Sequence, residues 1–137
     1  MSAFSPSSQL LECVVDRINV GVFMVDIDLE IQFWNGFMAT HSGIRADEVL
    51  GRKLFDCFPQ LPQRWLEKKI NSVFMLKNFA FSSWQQRPYL LRFETYRPIT
   101  GQADFMYQNL TIMPLAAAGR EVEHVCLMIY DVTEAAE

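Results

Sequence analysis

The sequence predicts a single α+β domain with an antiparallel sheet. Two groups of β-rich segments flank a helical middle, an amphipathic helix opens the chain, and the strand segments are joined by turns that suit hairpins. At 137 residues the chain fits one domain and buries roughly two-thirds of the surface its unfolded form exposes. With half of its residues hydrophobic, it can hold a core without disulfides or metal.

The elements follow in order. Ser5-Pro6-Ser7-Ser8 reads as a helix start, with Pro6 suited to the first turn. Behind it Leu11, Val14, Val15 and Ile18 recur at helical spacing. Val20 to Val25 is a compact β-branched run, Asp26-Ile27-Asp28 supplies turn residues, and Ile31, Phe33 and Trp34 resume an extended pattern, together a hairpin. Short helical pieces broken by Gly43 and Gly51 run through Phe58, and Pro59 and Pro62 bracket a turn.

The clearest helix follows, from Pro62 to about Asn78. Leu66, Ile70, Val73 and Phe74 form its apolar stripe, while Arg64, Glu67, Lys68, Lys69 and Asn71 cover the other side. Phe79 to Trp84 is an aromatic connecting segment that closes a cavity, docks on a partner or plugs the edge of the core. Tyr89 to Tyr96, Phe105 to Leu115 and Val122 to Val132 read as three strands. Pro98 to Gly101 and Ala116 to Arg120 provide the turns.

The last strand is apolar on both alternate faces through Val125-Cys126-Leu127-Met128-Ile129-Tyr130. A half-exposed strand alternates with polar residues. The inner side of this one is expected to meet the helical middle, and the outer side to need a cover, which the N-terminal helix or a second subunit would supply.

A formal net charge of −4 gives no electrostatic footing for nucleic acid or an anionic membrane. Cys13, Cys57 and Cys126 are odd in number and unpatterned, which suits a reducing compartment. No apolar run reaches the ~18 residues of a membrane span, and Met1 to Pro6 lacks the basic start and apolar stretch of a signal peptide. The expected location is the cytoplasm.

Four fragments resemble the PAS domain family. Ile18 to Asp26, with Ile31 and Trp34-Asn35, looks like a PAS opening. Ser42-Gly43 through Asp47-Glu48-Val49-Leu50-Gly51-Arg52 looks like the next signature, Met113-Pro114-Leu115 with Gly119 like the last hairpin, and Tyr130-Asp131-Val132-Thr133-Glu134 like the close. Met106 to Thr111, with Lys77 to Phe81 before it, resembles PAS segments found ahead of bacterial GGDEF diguanylate cyclase domains; no Gly-Gly-Asp/Glu-Glu-Phe motif occurs in the sequence itself. The resemblance implies about five antiparallel strands wrapped on one face by short helices, with a small cavity between. It also divides the chain into a cap helix (1–18), a core (19–133) and the start of a linker helix (134–137).

The resemblance implies sensing or dimerisation, relayed to an output domain C-terminal to the chain. Apolar pattern and family position nominate Val25, Trp34, Phe37, Phe58, Leu66, Ile70, Phe74, Phe93 and Ile129 as ligand-binding residues. Asp131 and Thr133 would cap the next helix and carry the signal into it.

Cofactors are disfavoured. In haem-binding PAS domains the axial histidine lies on the long helix, which here holds no His; Met75 and Cys57 are weak substitutes. Light-sensing flavin relatives carry Asn-Cys-Arg-Phe-Leu-Gln, whereas Cys57 sits in Phe55-Asp56-Cys57-Phe58-Pro59-Gln60 and reads as a space-filling thiol. His41, late in a short helix, and His124, near a strand start, read as structural. No nucleophile, phosphate-binding loop or metal set stands out, so no enzyme is expected. Two functions remain. One is a sensor that binds a small ligand or partner, as a homodimer through the outer sheet face and N-terminal helix. The other is a ligand-free dimerisation module whose cavity is filled by its own side chains.

Overall fold

A computed structural model describes residues 4–94 and 105–136, with the backbone alone over residues 4–7. The chain runs α1 (Phe4–Arg17), β1 (Gly21–Asp26), β2 (Ile31–Trp34), α2 (Gly36–Ser42), α3 (Ala46–Val49), α4 (Leu54–Cys57), α5 (Gln63–Leu76), β3 (Ala80–Ser82), β4 (Gln108–Leu115), β5 (His124–Asp131) and α6 (Thr133–Ala136). The strands form one five-stranded sheet in the order β2-β1-β5-β4-β3, and every neighbouring pair is antiparallel. The expected α+β architecture is therefore present.

The β1–β2 hairpin closes through Asp26, whose Oδ1 accepts from the Asp28 and Glu30 amides. A short carboxylate held to its own backbone stabilises a turn without a glycine. The helix α2 begins at Asn35 and ends at Gly43, whose φ of 76 places it in the left-handed region that favours glycine. The stripe of α5 turns inward as the pattern requires: Leu66, Ile70 and Val73 are buried, and Phe74 is half-buried against the same core. On the sheet, Val25, Ile112, Val125, Leu127 and Ile129 meet these side chains.

Asn35 is the joint between α1 and the rest. Fully buried, it accepts at Oδ1 from the Val22 and Met38 amides. Its Nδ2 donates to the Val15 and Val20 carbonyls, 2.8 Å from each. Beside it, a Cβ at Gly36 would collide with the Asp16 carbonyl oxygen, so only glycine lets the end of α1 come this close to α2. The apolar stripe of α1 is divided. Val15 and Ile18 are half-buried, whereas Leu10, Leu11 and Val14 are exposed.

Two strand assignments need correction. No strand forms over residues 89–94, and Tyr96 lies outside the described residues. Instead the third strand is Ala80–Ser82, inside the segment expected to be a connection. Leu90 and Leu91 are consecutive yet both enter the same core cluster, whereas adjacent residues of a strand point to opposite faces. Their backbone is held by a side chain: the Leu90 amide donates to Gln108 Oε1 at 2.8 Å, and Gln108 Nε2 donates to the Leu91 carbonyl at 2.7 Å. β3 and β4 pair directly (Ser82↔Leu110), although a long stretch of sequence separates them; its described parts, 83–94 and 105–107, form the excursion. That excursion delivers Leu90, Leu91, Phe93 and Met106 to the core.

Candidate functional site

The side chains nominated for ligand binding converge. Val25, Trp34, Phe37, Phe58, Leu66, Ile70, Phe93 and Ile129 belong to one buried cluster, and Phe74 packs on its margin. Trp34 anchors this cluster: it stacks on Phe58 with ring centres 5.3 Å apart, leans on Phe23 at 5.4 Å, and donates from Nε1 to the Ile44 carbonyl. A buried indole N–H needs such a partner.

The cluster reaches the surface at the C-terminal end of α2. A cleft of about 320 Å³ opens there between Thr40–Ile44, Phe58 and Gln60 on one side and Leu91–Glu94 of the excursion on the other. Of the nominated residues, Phe58 and Phe93 line it; the others lie behind. His41 stands at its edge, 4.3 Å from Phe37 and 5.8 Å from Phe93 by ring centres. Burial pushes its pKa below the usual 6.5, opposed by the Asp131 carboxylate. A neutral imidazole therefore joins α2 to the excursion at neutral pH. The i, i+4 spacing of Phe37 and His41 was the one sequence signal for this contact. Arg92 and Glu94 carried none, because nothing in a strand pattern showed that the excursion returns to α2.

A second group sits where β5 leaves the sheet. Asp131 Oδ1 accepts from the Thr133 amide at 3.0 Å and from its hydroxyl at 2.5 Å. Thr133 Oγ1 in turn accepts from the Tyr107 amide at 3.1 Å, and the Val132 amide donates to the Tyr107 carbonyl at 2.9 Å. These bonds tie the end of β5, the approach to β4 and the first turn of α6 into one joint. Thr133 is buried within it.

The cysteines are separate and free. Cys13 is exposed, Cys57 is half-buried and Cys126 is buried; burial pushes the Cys126 thiol up to about 11. Met75 points to solvent, 79% exposed, away from the core. Among the described residues, no three His, Cys, Asp or Glu side chains come together as a metal site, and no helix is long and apolar enough to cross a membrane.

A family profile described as the PAS fold matches residues 9–132. The chain belongs to the PAS family. As a PAS domain it is similar to a sensory box sensor histidine kinase from Vibrio cholerae, with 29% identity, a TM-score of 0.66 and 96% of each chain covered. It shares its fold with the PAS domain of a Colwellia psychrerythraea protein (11% identity, TM-score 0.65, covering 93% of this chain and 98% of that one). The PAS domain of Bordetella pertussis BvgS is likewise similar in fold (15% identity, TM-score 0.65, covering 96% and 90%). Among curated proteins no sequence matches the chain.

Proposed function

We propose that this PAS domain is a non-catalytic cytoplasmic sensor that binds a small molecule and relays a change in packing to an output domain following α6. The observation that carries the relay is the Asp131–Thr133–Tyr107 joint. A helix fixed to the sheet by a buried threonine moves with the sheet, so a ligand that favours one packing of β4 and β5 biases the helix by its difference in affinity for the two states. Three unpaired cysteines fit a reducing compartment. The likeness of Met106–Thr111 to PAS segments ahead of GGDEF domains makes a diguanylate cyclase the output we assign.

The same reading makes the domain a homodimer. The outer sheet face offers Met24, Met113, Met128 and Tyr130 half-buried and Phe81 exposed, and α1 leaves Leu10, Leu11 and Val14 in solvent. Two apolar surfaces on one chain are both covered when a second copy sets its α1 against the sheet. Sedimentation should find dimers, and Met128→Glu and Tyr130→Glu should dissociate them. Unchanged sedimentation in both variants would end the dimer reading.

A ligand-free dimerisation module is favoured by a different observation: Leu90, Leu91, Phe93 and Met106 of the excursion already fill the core. Native mass spectrometry and ultraviolet–visible absorption of the purified chain separate the two. A co-purifying small molecule supports the sensor; a bare mass and spectrum support the module.

A further inference from the structure

We propose that the open edge of β3 takes up an extended peptide as one more strand, and that the peptide alternates apolar and acidic residues. Such a partner goes beyond the small-molecule sensor and does not depend on it.

The sheet ends in β2 on one side and β3 on the other, and the two edges are treated differently. Main chain closes the β2 edge: the Ile31 amide donates to the Arg52 carbonyl at 2.9 Å, and the Gly51 amide donates to the Ile31 carbonyl at 2.8 Å. Among the described residues no main chain does this for β3. There the Phe81 carbonyl accepts instead from a side chain, Lys69 Nζ, at 3.3 Å in an exposed bond. Lysine is a common guard of strand edges. An incoming peptide N–H replaces such a bond at little cost, and the released ammonium is then free to pair with a carboxylate.

The side-chain pattern of the peptide follows from the two sides of the edge. Phe79 and Phe81 stand on the outer side, ring centres 6.4 Å apart, and are 54% and 64% exposed. On the inner side, against α5, Lys69 Nζ lies 5.2 Å and the Arg87 guanidinium 4.4 Å from the centre of the Trp65 ring. The ring holds both cations in place, and among the described residues neither has a carboxylate within ion-pair distance. A strand laid against β3 sets alternate residues beside the phenylalanines and those between them toward the cations. Apolar side chains suit the first positions and carboxylates the second. A second copy's β3 would bring Lys69 and Arg87 against Lys69 and Arg87, so like charge rejects self-pairing and selects an acidic strand.

The test is an NMR titration of the 15N-labelled chain with the blocked peptide acetyl-Val-Glu-Val-Glu-Val-Glu-amide. Beside it run the same peptide with Lys in place of Glu, and a third with every amide N-methylated. The acidic peptide should shift the amides of Ala80, Phe81 and Ser82 saturably. The basic and N-methylated peptides should bind about tenfold more weakly or worse. Lys69→Gln should lower affinity for the acidic peptide to a similar degree; Phe81→Ser, at an exposed position, should do the same and keeps the test decisive if Lys69→Gln disturbs folding. No saturable shift at β3 overturns the proposal. So does equal binding of the N-methylated peptide, which assigns the contact to charge alone, or a shift centred on Met24, Met113 and Met128, which places the peptide on the outer face. Concentration-dependent shifts at Ala80–Ser82 in the free chain, abolished by Phe81→Ser, would give the edge to a second copy and overturn it as well.

Discussion

The sheet shows two different faces made from the same strands. On the inner face Val25, Ile112, Leu127 and Ile129 have no measurable exposure and interlock with α5 and the excursion. On the outer face the alternate residues of the same strands, Met24, Met113 and Met128, are half-buried, and Phe81 is 64% exposed. β5 carries both sets in one run. Inside, shape is fixed by branched side chains that tolerate no change of volume; outside, three unbranched thioethers form a surface able to adapt to a partner. The fold's stability therefore rests on one face, and in the proposed dimer the energy of the other would be realised by association.

The largest effect is expected where the outer helix meets the inner layer. Asn35→Ala should cost about 3–5 kcal/mol, because four backbone groups, two of them in buried bonds and two in part-buried ones, lose their partners at once. Urea denaturation would measure it, and a loss near that of a surface substitution would show that α1 is not fastened as described. The direct comparison of faces comes next. Ile129→Ala should cost about 3 kcal/mol, whereas Met128→Ala, one residue earlier, should cost under about 1 kcal/mol in the dilute monomer. Equal losses would erase the distinction between the faces.

Much of this contrast was legible in the sequence. The unbroken apolar run from Val125 to Tyr130 announced a strand that is apolar on both faces, and the Leu66–Ile70–Val73 spacing announced the helix that covers the inner one. β3 was hidden because its inward residues, Ala80 and Ser82, are small while Phe81 points outward, so its pattern reads as the reverse of a core strand. The stretch after Pro88 misled in the opposite direction: its apolar residues reach the core from irregular backbone that Gln108, distant in sequence, holds in place. The cleft was illegible for the same reason. His41 and Arg92–Glu94 meet only through tertiary packing, whereas the aromatic set behind them shared one apolar pattern.

The joint at the end of β5 offers a smaller, local test. Thr133→Val keeps the side-chain volume but removes the acceptor of the Tyr107 amide and the donor to Asp131. The expected loss is about 1–2 kcal/mol, with hydrogen exchange accelerated at Tyr107 and Thr133 and unchanged at Leu127. If exchange at Tyr107 stayed slow, α6 would be held by something other than this joint.

Mildly acidic solution probes the inner contact through His41. Its pKa is lowered in the folded chain, chiefly by burial, so the unfolded chain takes up the proton first as pH falls. The stabilisation is complete above pH 6.5 and is lost as pH drops through the lower folded value. His41→Gln should flatten that part of the stability curve; a slope persisting in the variant would assign it to another group.

The smallest effect concerns the outer face at high pH. Cys126 is buried between the rows of Met24 and Met113, with which it pairs across the strands, and burial raises its thiol from 9.0 to about 11. The unfolded thiol ionises first as pH rises, so its contribution is whole below pH 9 and drains away toward pH 11. At neutral pH Cys126→Ala therefore probes packing alone, while above pH 9 it should remove a downward slope that the parent retains. Alkylation gives the same comparison kinetically: exposed Cys13 should react at once and Cys126 only on the timescale of unfolding. A Cys126 that alkylates as fast as Cys13 would mean that the methionine rows do not close over it, and the outer face would then be an open surface rather than one already half-assembled for a partner.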